Sequence, residues 1–118
     1  MDAELKYFEK PDEKTEFPGG EVAIVKVAGT PVGKFRFEPG WSWSKNVKPI
    51  VGGEWCQETH LGYTISGRLH VKMSTGEEFE CGPDSVGIIP PGHDGWVVGD
   101  EPYVGVDWTT SSEYGRKK

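Results

Sequence analysis

Apolar and polar residues alternate with a period of two along much of this chain. In the run from Arg68 to Met73, Leu69, Val71 and Met73 alternate with basic residues. Because neighbouring side chains of a strand point to opposite faces, the run predicts a strand with one buried face. Similar short runs, separated by turn residues about every 8–12 residues, are typical of β-sandwiches and barrels. The predicted strands are 21–28, 32–38, 61–66, 68–73, 77–81, 86–89, 96–98 and 103–108.

Glycine and proline argue against a helical protein. Seventeen glycines and nine prolines among 118 residues interrupt every window long enough for an amphipathic helix. We therefore expect an all-β protein with at least seven strands and no helix longer than about two turns. Gly67, between two predicted strands, is expected to form a tight hairpin.

The length predicts one domain, because domains usually contain about 100–200 residues. Residues 1–20 mix charges with prolines and a glycine pair, and are expected to form an N-terminal arm. Residues 21–110 are expected to form the β-domain. The polar residues 111–118 are expected to be a flexible C-terminal tail.

The net charge of the chain limits the kinds of partner that it can bind. Thirteen lysines and arginines against nineteen acidic residues give a net charge of −6, which argues against nucleic-acid and anionic-membrane partners. No apolar run approaches the ~20 residues of a membrane span. The acidic N-terminus predicts no signal peptide, and two cysteines do not make a disulfide framework. We therefore expect a reduced, cytoplasmic protein.

Two spaced motifs carry a family resemblance. The first reads Glu54-x-Cys56-x3-His60-x6-Gly67, and the second reads Pro90-Pro91-Gly92-x2-Gly95. These resemble the cupin motifs His-x-His-x3-Glu-x6-Gly and Pro-x-Gly-x2-His, in a stretch that covers roughly residues 32–108. The resemblance is to small single-domain cupins, and it implies a single jelly-roll β-barrel. The turn and hairpin glycines are kept, whereas all four usual metal-ligand positions hold another residue.

The altered ligand positions still suggest a metal site. Cys56 and His60 occupy two of the family's ligand positions, and Glu54 would share a face with Cys56 in a strand. His93 lies two residues before Gly95, so strand periodicity returns it to the same face. The expected set is Cys56, His60 and His93, with Glu54 as an optional fourth ligand. Thiolate and imidazole favour zinc, although iron, nickel or manganese are alternatives.

Other interpretations of these residues stay open. Cys56 could be a small buried hydrophobe, and both histidines could be hydrogen-bonded without a metal. Cys56 and His60 could also form a nucleophilic pair, although no third residue that would orient the histidine is identifiable. No catalytic residue is therefore assigned.

The functional expectation is a cupin that binds a small molecule in its barrel through a divalent metal. The alternative is a metal-free ligand-binding or sensor module without catalysis, and the sequence does not decide between an enzyme and a binding module. Trp41 and Trp43 are expected to cap a barrel end or to lie in a dimer interface. Exposed sheet edges and the surplus of aromatic residues favour a homodimer, with the N-terminal arm or an edge strand at the interface.

Overall fold

The computed structural model describes residues 2–109 and 114–115, and these residues contain nine β-strands and two short helices. This confirms the predicted all-β class. The strands are β1 Glu13–Phe17, β2 Gly20–Val27, β3 Thr30–Phe37, β4 His60–Ser66, β5 Arg68–Met73, β6 Glu78–Cys81, β7 Ser85–Ile89, β8 His93–Val98 and β9 Tyr103–Asp107. Helices α1 (Trp43–Asn46) and α2 (Lys48–Val51) have four residues each. None of the helices in the described residues is long and apolar enough to span a membrane.

The strands form two antiparallel sheets. The larger sheet has the order β1-β2-β3-β9-β4-β7, and the smaller one has the order β6-β5-β8. The two sheets pack against each other through one core, with Val22, Phe35 and Phe37 from the larger sheet and Val71 and Val97 from the smaller one. Among the described residues the two sheets do not join into one closed sheet.

Strand β5 shows the predicted alternation. Leu69 and Val71 are buried in the core, whereas Arg68 and Lys72 are exposed. His70 lies on the outer face as expected, where its ring stacks on Trp96. The alternation therefore placed each side chain of this strand on the correct face.

The predicted hairpin at Gly67 is wrong. Strand β4 pairs with β7 and β9, whereas β5 pairs with β6 and β8, so the chain crosses from one sheet to the other at this residue. Gly67 has φ +78°, and a Cβ there would lie 2.2 Å from the carbonyl oxygen of Pro102. Glycine is therefore required by the close approach of the backbone before β9 as well as by the left-handed conformation.

The two terminal segments also contribute to the fold. Part of residues 1–20, the expected arm, belongs to the larger sheet, because β1 pairs with β2 from Glu13 to Phe17. Phe17 is buried, and its ring contacts that of Tyr114 at 5.8 Å between centroids. Of the expected tail, residues 111–118, only Tyr114 and Gly115 are described, and Tyr114 is buried. The rest of that tail lies outside the described residues.

Candidate metal centre

Three separate parts of the fold supply the side chains of the candidate site. Cys56 lies in the loop before β4, His60 is the first residue of β4, and His93 is the first residue of β8. An isolated antiparallel bridge joins Cys56 to His93, and the Cys56 amide donates to the His93 carbonyl oxygen at 2.7 Å. Residues directly opposite each other in such a pair project their side chains to the same face. The bridge therefore holds the thiol next to the imidazole.

The candidate ligand atoms of Cys56, His60 and His93 all lie within 4.8 Å of one another. For any such triangle, some point lies within about 2.8 Å of all three atoms, whereas zinc bonds to sulfur and nitrogen are about 2.0–2.3 Å long. A closure of roughly 0.5–0.8 Å per ligand would therefore reach the bond lengths of a zinc site. The structure thus brings together three of the four side chains that the sequence suggested.

Glu54, the optional fourth ligand, does not join this group. Its side chain is exposed, and residues 53–55 form a bend rather than a strand. The strand periodicity that would have placed Glu54 beside Cys56 does not apply there. By contrast, His93 and Gly95 share the inward face of β8, as the sequence predicted.

The Nδ1 atom of each histidine is engaged by a neighbouring acceptor. His60 Nδ1 lies 2.5 Å from Asp107 Oδ2, and His93 Nδ1 lies 2.6 Å from the carbonyl oxygen of Pro90. A carbonyl oxygen can only accept, so His93 Nδ1 carries the hydrogen, and the carboxylate favours the same arrangement for His60. The Nε2 atom of each ring is therefore available to Cys56, whose thiol hydrogen-bonds with both rings.

These contacts also set the charges at the site. Burial raises the pKa of the Cys56 thiol, but the hydrogen bonds from His60 and His93 outweigh burial and bring the pKa to about 7. Burial lowers the pKa of His60, yet Asp107 and Cys56 together raise it to about 9. The pKa of Asp107, which burial alone would raise, is lowered by its hydrogen bond to His60. The metal-free site therefore has thiolate–imidazolium character near neutral pH.

Asp107 is the site residue that the sequence reasoning missed. It is 4% exposed, and it lies on the inward face of β9 together with Gly105. Thr109 also bonds its carboxylate through both its amide and its hydroxyl group. The available signal was a lone acidic residue at an inward position of an apolar strand, where burial is costly without a partner.

A cavity of about 220 Å³ adjoins two of the three candidate ligands. His60 and His93 line it, together with the aromatic residues Phe35, Phe37, Trp41, Trp43 and Tyr103. Trp41 and Trp43 are 3% and 2% exposed, so they belong to the core and the cavity wall. Trp41 stacks on Phe37 with 3.7 Å between the ring centroids. The cavity thus combines aromatic side chains with the two histidines and the carboxylate of Asp107.

No protein-family model matches the sequence, and no curated protein matches it either. Solved structures do match. A protein of unknown function from Rhizobium leguminosarum is 16% identical, with a TM-score of 0.58 over 93% of this chain and 100% of that one. KdgF from Halomonas sp. is 18% identical, with a TM-score of 0.53 over 76% of each chain.

Bacillus subtilis oxalate decarboxylase is a third structural neighbour. One of its variants is 26% identical, with a TM-score of 0.56 over 90% of this chain and 29% of that one. This chain therefore spans less than a third of oxalate decarboxylase. KdgF and oxalate decarboxylase are both cupins, and at these identities the likeness is one of fold.

Proposed function

Because this chain has the cupin fold that its motifs resemble, we propose that it binds a divalent metal through Cys56, His60 and His93 and a small molecule in the adjoining cavity. The observation that carries the proposal is the convergence of the three ligand atoms within 4.8 Å. Three protein ligands would leave a fourth position of a tetrahedral ion open to water or to the small molecule.

Zinc suits this set best among the divalent ions. Thiolate and imidazole are the ligands that zinc prefers, whereas carboxylate-rich sets suit manganese, and iron or nickel also accept imidazole. Bacillus subtilis oxalate decarboxylase has Mn(II) centres. The thiol of Cys56 in this chain is softer than the ligands that manganese prefers, which favours zinc here.

The surrounding residues would prepare the ligands for the ion. Asp107 and the carbonyl oxygen of Pro90 hold a hydrogen on the Nδ1 atoms of His60 and His93, so that Nε2 of each ring faces the ion. When bound, zinc would act as a Lewis acid towards a ligand oxygen at the open position. The aromatic wall would keep bulk water from that position.

The test is a metal titration of the purified, untagged protein with Zn²⁺ and with Co²⁺, whose spectrum reports thiolate ligation. We expect one ion per chain and a cobalt–thiolate band. Cys56→Ser should remove the band, whereas Cys81→Ser should keep it, because Cys81 lies outside the cluster. Equal losses in the two variants, or binding without a thiolate band, would count against the site.

One observation supports a second candidate function. The contacts match those of a catalytic thiol triad: the thiol of Cys56 hydrogen-bonds with His60, and His60 hydrogen-bonds with Asp107. In such a triad these residues serve as nucleophile, base and orienting carboxylate. Such a protein would transfer an acyl group through Cys56 without a metal. It is the weaker candidate, because Cys56 is only 3% exposed and a triad does not need the contact with His93.

The variant His93→Gln separates the two candidates. A metal site loses one of its three protein ligands in this variant, so zinc binding should collapse. A thiol triad retains all three members, so iodoacetamide should still alkylate Cys56, only more slowly at neutral pH because the hydrogen bond from His93 that lowers the thiol pKa is lost. Retained zinc affinity in His93→Gln would exclude the proposed ligand set.

A further inference from the structure

We propose that the cavity beside the candidate metal centre takes a small neutral molecule built on one aromatic ring and disfavours carboxylates. The inference rests on the proposed function for the ion, whereas the shape and charge of the cavity belong to the protein itself.

The cavity has room for about one ring. Its volume is about 220 Å³, and in another protein an apolar cavity of about 150 Å³ accommodates benzene. Phe37 lies between Trp41 and Tyr103, with ring centroids 3.7 Å and 5.9 Å away and nearly parallel planes. Phe35 continues this wall at 5.5 Å from Phe37. Aromatic rings pack well against such a wall, in offset or edge-on contacts.

The described residues that line the cavity include no lysine and no arginine. The ionisable carboxylates among them are Asp107 and Glu80. Arg68 pairs with Glu80 at 3.0 Å, but its side chain is 59% exposed and lies on the outer face of β5. A carboxylate buried without a cationic partner is strongly disfavoured. His60 also lines the cavity, but it is already paired with the carboxylate of Asp107 at its Nδ1 atom, so it offers no unpaired cation. The cavity therefore selects against anions.

A bound dication would not reverse this selection. The two positive charges of the ion are matched by the thiolate of Cys56 and the carboxylate of Asp107, which bonds His60 directly. The sum is 2 − 1 − 1 = 0, with both imidazoles neutral as metal ligands. The loaded site therefore offers a Lewis-acidic position without a net positive charge.

A hydroxyl pair supplies a donor inside the cavity. Thr64 Oγ1 and Tyr103 Oη lie 3.0 Å apart, and one of them donates to the other. The second hydroxyl hydrogen is left for an acceptor on a ligand. The Tyr103 ring lies along β9, over Gly105. A Cβ at position 105 would lie 2.8 Å from Tyr103 Oη, so the ring can take this position only because residue 105 is a glycine. A neutral carbonyl or amide oxygen matches these donors better than a charged group, which would also have to be desolvated.

The test compares benzamide with benzoate, which have the same shape and differ in charge. Binding of each is measured by calorimetry at pH 7.5 to the zinc-loaded and the metal-free protein. We expect benzamide to bind at least about tenfold more tightly than benzoate in both states, because burial of an uncompensated anion is unfavourable. Equal or tighter binding of benzoate to the metal-free protein, or no saturable binding of benzamide, would overturn the inference.

Two isosteric variants test the cause of the preference. Asp107→Asn removes the buried negative charge, so the preference for benzamide over benzoate should shrink. Thr64→Val removes a hydroxyl without changing the charge, so it should weaken benzamide binding and leave a preference for the neutral molecule. An unchanged preference in Asp107→Asn would contradict the electrostatic argument.

The metal titration separates the two proposals. If zinc fails to bind but the metal-free protein still prefers benzamide, the proposed metal function fails and the inference about the cavity stands. If zinc binds with one ion per chain and benzoate is preferred, the metal function stands and the inference fails.

Discussion

Each imidazole of the site has one nitrogen held by a neighbour, and the identity of that neighbour controls the other nitrogen. Asp107 is the acceptor for His60 at 2.5 Å. Carboxylates in this position fix the ring orientation and raise the basicity of the ligating nitrogen. In the proposed metal site, Asp107 would thus act on the ion without touching it, as a positioning residue.

We expect Asp107→Asn to weaken zinc binding by about 10–100-fold, because an amide orients His60 less strongly than a carboxylate does. The measurement is competition with a chromophoric chelator at pH 7.5. Asp100→Asn is the matched control, because it removes the same charge from an exposed turn. Similar losses in both variants would show that the effect comes from net charge alone.

Zinc affinity should rise with pH between about 7 and 9. The pKa of His60 is raised to about 9, so below that pH the ion must displace one proton from the ring. The pKa of Cys56 is about 7, so below pH 7 a second proton must leave. We expect affinity to change by about tenfold per pH unit above 7 and more steeply below it. Constant affinity from pH 6 to pH 8.5 would contradict this charge assignment.

The stability of the metal-free protein is the control for that experiment. The raised pKa of His60 contributes stability that is complete below pH 6.5 and is lost as pH rises through about 9. The lowered pKa of Cys56 contributes stability that is complete above pH 9.0 and is lost as pH falls through about 7. These two contributions have opposite slopes between pH 7 and 9, so they largely cancel in the free energy of unfolding.

In the sequence, the resemblance to the cupin motifs indicates Cys56, His60 and His93 as candidate ligands, because each lies at a fixed distance from a glycine of those motifs. It did not identify Asp107, which is 47 residues away from its partner His60. Neighbouring strands β4 and β9 bring the two together, and strand pairing over that separation leaves no local pattern in the sequence. The sequence also predicted Glu54 beside Cys56 on one face of a strand, but residues 53–55 form a bend and Glu54 is exposed.

At the scale of the elements, local patterns predicted the strands but not all of their partners. Alternation placed β5 and its buried face correctly, because burial of one face is a local property of the strand. The sequence predicts a hairpin at Gly67 where the chain instead crosses between the sheets, because a glycine between two strands fits either connection. Strand β1 was missed, since among its five residues only Phe17 is buried.

The crossing at Gly67 should be intolerant of a side chain. In Gly67→Ala the new Cβ would meet the Pro102 carbonyl oxygen at 2.2 Å, and the backbone would keep φ +78°. We expect a loss of about 3 kcal/mol or more in the free energy of unfolding, measured by urea denaturation. Gly76→Ala is the control, because φ is +99° there but no atom lies within 4 Å. A Cβ at that site should cost only about 1–2 kcal/mol, so equal losses would refute the contact argument.

At the scale of the whole molecule, the two edges of the larger sheet differ. Strand β1 carries Glu13, Lys14 and Glu16, and charged residues protect an edge from pairing. Strand β7 has no charged residue, and its Val86 and Ile88 are 66% and 61% exposed. The apolar surface continues onto β4 through Leu61 and Ile65, which are 39% and 45% exposed, and to Trp108, which is 44% exposed.

We propose that this surface joins two copies of the chain, with β7 antiparallel to β7 of the second copy. Light scattering at micromolar concentration should then give about twice the chain mass of 13.0 kDa. Ile88→Lys places a charge in the interface and should give the monomer mass. Glu16→Lys, at the opposite edge, should leave the dimer intact. A monomeric parent protein would exclude the dimer.

His60 opens a strand of the larger sheet, and His93 opens a strand of the smaller one. An ion bound by both histidines would therefore link the two sheets, which otherwise contact each other mainly through apolar packing. Removal of the ion would then loosen the walls of the cavity as well as empty the site, so amide hydrogen exchange at the start of β4 and β8 should speed up together. Occupancy of the centre and rigidity of the small-molecule cavity would in this way be set by the same three side chains.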